Sequence, residues 1–322
     1  MASDNRIYVS VMTTPAASGE TVFELETYNC SPNITLSLSV TGIATTDSEI
    51  DIAKKIDSQI GTQLIQYSAS YDGQPVFHND TFPSTFRIGR SEHIVSFWSQ
   101  SQFSLVVDSD DTGCIYNIAS TPTLTTNSKA QLIAVIQNLD LEDEDGGSLS
   151  DDEIALLLEV SSARLVSYLN NNIVKTTYLF EHIGNTDRSV SLSEGKPIIK
   201  IDSTGIVRSP NNLNTNLVLA NFSTNPYILK TETGRLSYRY FQTLLESEMP
   251  FKRDYEFRIT YQAGNFNIHK ILHYAVLKLA RSILDQTDGN IKSLTGQSHT
   301  VTFFSTEDAI EDLLFELRDF II

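Results

Sequence analysis

The sequence predicts an α+β protein: a β-rich N-terminal domain, then a C-terminal domain of helices with a β-hairpin or small antiparallel sheet. Three observations lead there. Several short runs in the first half alternate apolar and polar residues, the period of a half-buried strand. The second half opens and closes on stretches whose apolar residues recur every three or four positions. Between the halves lies an acidic segment, Asp140-Leu-Glu-Asp-Glu-Asp-Gly-Gly-Ser148, with one apolar residue. Such a segment is solvated and reads as a linker. The expected division is 1–140, a linker at 141–148, and 149–322. A chain of 322 residues suits two domains.

The elements follow in order. Arg6–Met12, Thr21–Thr27 and Ile34–Val40 are strands by alternation. Thr46-Asp47-Ser48 opens a helix carrying Ile50, Ala53, Ile56 and Ile60, with Gly61 as its stop. Strands are expected at Leu64–Ser70, Phe86–Gly89, His93–Ser99 and Phe103–Val107. Lys129–Leu139 fits neither period and reads as a strand or a short helix. Ser150-Asp-Asp-Glu153 fits a capping box, and its carboxylates suit the positive end of a helix dipole. Ile154, Leu157, Leu158, Ser161, Leu165, Tyr168 and Leu169 then share one face, and Asn170–Asn172 ends the helix. Strands are expected at Lys175–Glu181, Arg188–Leu192, Pro197–Asp202, Asn211–Phe222 and Tyr227–Lys230. Tyr255–Tyr261 is the cleanest alternating run, and Gly264 breaks it. A long helix is expected from Asn267 to Gln286, and a last one from Ser305.

The net charge is −17, concentrated in the first half. Residues 1–146 hold six basic and nineteen acidic residues, and 147–322 hold seventeen and twenty-one. That sign repels nucleic-acid phosphates and disfavours sequence-specific DNA binding. It suits a protein past which DNA slides without sticking, and equally one that is simply soluble. The two cysteines, Cys30 and Cys114, read as free, partly buried thiols in a reducing compartment. No run of eighteen apolar residues occurs, so no membrane span is expected. Met1–Arg6 lacks the features of a signal peptide.

Motifs for chemistry are missing. There is no Gly-x-Ser-x-Gly, no Gly-x-Gly-x-x-Gly and no phosphate-binding Gly-x-x-x-x-Gly-Lys-Ser/Thr. His269 and His273 share a helix face, but Lys270 follows where a zinc protease has Glu, so polar interface residues are the better reading. His78, His93, His182 and His299 have no ligand spacing. Asp108, Asp110 and Asp111 read as a solvated turn rather than an acid–base pair. The acidic linker lacks the spacing of a calcium loop. Arg235, Lys252 and Arg253 suit surface or intersubunit pairs, and core packing is expected for one of Phe97 and Trp98. No catalytic residue, metal or cofactor is expected.

The last 175 or so residues resemble the head–tail connector (adaptor) family of tailed bacteriophages. The resemblance rests on the order of several short features. These are the helix Leu149–Leu169, the Pro197-Ile198 step, Gly234-Arg235-Leu236, Tyr261-Gln-Ala-Gly264 before the long helix, and Ile291–Ser298 before the terminal one. The family's proline at the start of the long helix is replaced by Asn267-Ile268, and 203–233 is longer than usual. Within the first 140 residues, Ile50–Val107 is similar to modules in the tubular tail proteins of short-tailed phages.

The resemblance implies a virion structural protein, made in the bacterial host cytoplasm and residing in the neck or tail. It implies a homo-oligomeric ring, commonly a dodecamer, between the portal protein and a tail tube or nozzle protein. DNA would pass as cargo, and no membrane would be involved. The N-terminal domain would sit outside and could hold tail fibres. A closed ring needs two different complementary faces on each subunit. Ile268, Leu272, Val276, Leu279 and Ile283 on the long helix are one candidate set for subunit or portal contact. Leu313, Leu317, Phe320, Ile321 and Ile322 near the terminus are the other. The competing reading is a tail fibre or adhesin-type binding protein; an enzyme has the least support.

Overall fold

The computed structural model describes residues 4–28, 35–71, 86–126, 149–169, 173–185, 189–192, 194–208, 217–220, 227–238, 256–268 and 270–292. The protein is α+β, with a β-rich first half. Outside the described residues lie the expected element at 129–139, the linker at 141–148 and the terminal helix from Ser305.

Six strands of the first half form one antiparallel sheet: β1 (Asp4–Val11), β2 (Gly19–Thr27), β3 (Thr35–Ile43), β4 (Arg87–Ser91), β5 (Ile94–Asp110) and β6 (Tyr116–Ala119). Their order is β3-β2-β5-β1-β6, with β4 also on β5. The 17-residue β5 replaces the two strands expected at 93–99 and 103–107. Its first part pairs with β1 and β4, placing Phe97 opposite Ile7 and Ile88. Its second part pairs with β2, placing Leu105 opposite Leu25. β4 and β2 thus take successive stretches of one edge. The polar Gln100-Ser101-Gln102 interrupts the apolar pattern at this handover, not the strand.

Helix α1 (Glu49–Tyr71) covers one face of this sheet. Ile52, Ala53, Ile56, Ile60 and Leu64 pack on Val9, Phe23, Leu38, Val95 and Phe97. Ser48 caps it: its Oγ accepts from Asp51 N at 3.2 Å and donates to the Asp51 carboxylate at 2.7 Å. The expected stop at Gly61 and strand at Leu64–Ser70 are both corrected, since the helix runs through them. Gly61 is there for closeness: a Cβ on it would lie 3.2 Å from Ile88 of β4. Leu64 simply extends the 52–56–60 stripe by one turn.

The opposite face is covered from the second half. Helices α2 (Asp151–Leu169) and α3 (Lys270–Lys292) form one apolar cluster with Tyr8 and Ile94 of the sheet and Met12 just after β1. Strand alternation sends neighbouring side chains to opposite faces. Phe97 and Trp98 are both buried, at 0% and 7% exposure, where one was expected. Phe97 lies in the cluster under α1, and Trp98 pairs with Arg6, which reaches the Thr177 carbonyl of the second half. The two halves of the sequence therefore share a core.

The other strands of the second half form two small antiparallel sheets. β7 (Thr176–Ile183), β9 (Ile198–Arg208), β10 (Leu217–Ala220) and β13 (Glu256–Ala263) give the order β10-β9-β13-β7. β8 (Ser189–Ser191), β11 (Tyr227–Lys230) and β12 (Arg235–Tyr238) give β11-β12-β8. Tyr178, Val190, Leu192, Ile198, Leu236, Ile259 and Tyr261 are buried between them. The expected strand at 211–222 is described only as β10. Gly234 closes a turn as expected, but Arg235 and Leu236 begin β12 as the partner of β11. β6 is the other strand the alternation missed.

Candidate functional site

The arrangement begins where β13 ends. Gly264 has φ +108, and a Cβ on it would fall 2.4 Å from the Val174 carbonyl oxygen, so only glycine fits. Its N–H donates to the Pro197 carbonyl at 3.0 Å. The chain then turns toward α3 along the end of the first sheet. There Ser91 Oγ donates to the Asn265 carbonyl and accepts from Lys175 N at 2.8 Å. Ser96 Oγ donates to the Lys175 carbonyl at 2.8 Å. Arg6 donates to the Thr177 carbonyl at 2.9 Å, with its guanidinium 4.5 Å from the centre of the Tyr178 ring.

The start of α3 is fixed by a residue from the first half. Glu92, in the tight turn between β4 and β5, has φ +49. A non-glycine residue there costs roughly 1–3 kcal/mol and persists only where its surroundings hold it. The holding contacts are visible. Glu92 N donates to the Phe266 carbonyl at 3.2 Å, and its carboxylate accepts from Ile268 N at 3.1 Å. The same carboxylate lies 3.3 Å from His273 Nε2. The first turn of α3 has no acidic residue of its own. Glu92 supplies the anion that the helix dipole favours at that end.

His93 sits beside this contact, its ring centre 6.3 Å from that of His273. It is buried, and its Nε2 lies 3.0 Å from the Thr123 carbonyl. A carbonyl only accepts, so Nε2 carries the hydrogen. Burial pulls the His93 pKa down to about 4, against the weaker upward pull of the Thr123 bond. Burial also lowers His273, with the Glu92 carboxylate acting in the opposite direction.

The surface above these anchors is formed by α2 and α3. Ile154, Leu158 and Leu165 of α2 face the core. At 100° per residue, Leu156 and Val160 lie on the far side. They are 60% and 39% exposed, and Tyr168 is exposed one flank away, although the sequence grouped it with the core face. On α3 the outward row is Lys270, Tyr274 and Lys278, with Lys278 Nζ 4.8 Å from the centre of the Tyr274 ring.

The expected interface residues are placed differently from the sequence reading. Ile268, Leu272, Val276 and Leu279 are buried in the chain's own cluster with α2 and the first sheet. The width of the apolar stripe had a simpler cause: α3 packs on a helix and a sheet at once. Ile283 is half-buried. Leu313, Leu317, Phe320, Ile321 and Ile322 lie outside the described residues. So do Cys30, His78, His269, His299, Lys252 and Arg253.

The remaining groups have structural surroundings. Asp110 accepts from the Thr21 and Thr112 hydroxyls and from Cys114 N, which organises the turn after β5. Asp108 and Asp111 are exposed. Cys114 is a buried free thiol, its pKa raised by burial. Arg235 donates to Ser189 Oγ at 3.0 Å and, with Lys230, lines a shallow open concavity on the three-stranded sheet. No helix among the described residues is long and apolar enough to cross a membrane.

No family model and no curated protein matches the chain. Among solved structures, it is similar to a chain in the virion of a native gene transfer agent particle. It is similar also to a chain in the neck of an empty particle of that kind, computed with C6 symmetry. In each case the identity is 14% and the TM-score 0.35, over 61% of this chain and 92% of the other.

Proposed function

We propose that the protein is a virion structural protein, a head-to-tail adaptor that assembles as a ring between portal and tail and carries out no catalytic step. The observation supporting this reading is the order of elements in the second half. A capped helix, small antiparallel sheets, the strand β13 ending just before Gly264 and a long helix follow one another in the order of the features on which the sequence resemblance rests. The outward face of α2 adds to it. Between Ile154 and Leu169 only Glu159 and Arg164 are charged, and Leu156 and Val160 face outward. A helix with apolar residues on both sides is normally covered on both. Ring partners would be the portal protein on one side and a tail tube or nozzle protein on the other, with DNA as passing cargo.

Light scattering and negative-stain imaging of the purified chain, alone and mixed with the portal protein of the same particle, test the proposal. The expected result is a ring with a central opening, formed alone or on the portal. A trimer would favour the fibre or adhesin reading. A monomer that ignores the portal overturns the adaptor.

A further inference from the structure

We infer that the outward face of α2 on one copy docks onto the outward face of α3 on a second copy, head to tail. The inference rests on the ring reading and names the two faces that would close it. The α2 face offers the exposed carboxylate of Asp152 and, one and two turns on, exposed Leu156 and Val160. The α3 face offers Lys270, Tyr274 and Lys278 along one i, i+4 row, with Tyr274 44% exposed.

The charges match across this pair and not within either face. From Asn265 to Leu284 the sequence has no acidic residue, in a chain of net charge −17. The first turn of α2 is wholly acidic, Asp151-Asp152-Glu153. Like faces repel: two cationic α3 rows or two acidic α2 starts cannot meet. An α2 face set on an α3 face brings carboxylate to ammonium and lays Leu156 and Val160 along the Tyr274 ring and the Lys278 stem. Both rows point away from the first sheet, because the opposite sides of both helices are packed on it. A contact between two different faces leaves one of each free on every pair, so addition continues until the ring closes.

The test uses two variants of the full chain. Lys270→Glu with Lys278→Glu reverses the α3 face; Asp152→Lys with Leu156→Lys disrupts the α2 face. All four positions are exposed, and circular dichroism checks that both variants fold. Sedimentation velocity should show the unmodified chain in a large assembly that weakens about tenfold or more on raising the salt. Each variant alone should be a monomer. Their equimolar mixture should recover at least a dimer, since one intact face of each kind remains and the two altered faces carry opposite charge. Variants that assemble like the unmodified chain overturn the inference and leave the ring reading standing. An unmodified chain that stays monomeric at every concentration and on the portal overturns both. Two other occupants are examined in parallel. If the α3 variant loses binding to duplex DNA while its assembly is unchanged, the face belongs to nucleic acid and the inference fails. If Leu313→Glu with Leu317→Glu abolishes assembly while the α2 and α3 variants do not, the terminal segment makes the contact and the inference again fails.

Discussion

Lowering the pH should loosen this protein through one imidazole. His93 is buried in the β4–β5 turn, with Thr123 as its hydrogen-bond acceptor and His273 as its neighbour. In the unfolded chain it titrates near 6.5, and in the fold near 4. The fold accepts the neutral ring and penalises the charged one. Stability from this group is therefore whole above about pH 6.5 and is lost as the pH falls toward 4, at ~1.4 kcal/mol per unit. Between about pH 7.5 and about pH 5 the loss from His93 alone comes to ~2 kcal/mol. Carboxylates and His273 titrate too, so the informative quantity is a difference between proteins. A Gln at this position places its amide nitrogen near that of Nε2, keeps the bond to Thr123 and cannot charge. Urea unfolding across this range should show His93→Gln less stable than the parent near neutrality, because packing is lost, but with a pH slope flatter by ~2 kcal/mol over the range. Parallel slopes in the two proteins would mean that His93 charges freely in the fold, and the burial argument would be wrong.

Three further outcomes follow from the packing. Leu272→Ala should cost ~2–5 kcal/mol of stability in urea titration, whereas Leu156→Ala should change it by no more than ~0.5 kcal/mol, since only the first side chain is in the core. Gly264→Ala forces a Cβ onto the Val174 carbonyl at positive φ and should cost more than the ~1 kcal/mol of an ordinary glycine replacement, read as a lower melting temperature. Glu92→Gln removes the charge that holds the His273 pKa up, so a histidine NMR titration should find His273 shifted further down.

Much of the fold was legible because local chemistry and tertiary context agreed. The capping box at Ser150 and Glu153 is formed, with Ser150 N donating to the Glu153 carboxylate at 2.7 Å. The alternation of Tyr255–Tyr261 became β13, and Tyr227–Lys230 became β11 at the same bounds. The failures have physical causes. Gly61 signals a helix stop, but a glycine is equally what a helix needs to lie close to a strand. Arg235–Tyr238 is too short to show a period, and β12 exists because strands on both sides bond to it. Glu92 could not be found from sequence, since its partners Phe266, Ile268 and His273 are some 175 residues away along the chain.

The sequence by itself determined the α+β class, the β-rich first half, the amphipathic helices and the acidic surface, because these depend on neighbours a few residues apart. Only the tertiary structure decided which side of each helix is inside. The stripe on α3 is apolar whether it meets another subunit or its own chain, and period alone cannot distinguish the two. The first sheet, left bare on one face by α1, supplies the surface that buries it, and in doing so turns the Lys270–Lys278 row and the Leu156–Val160 face outward.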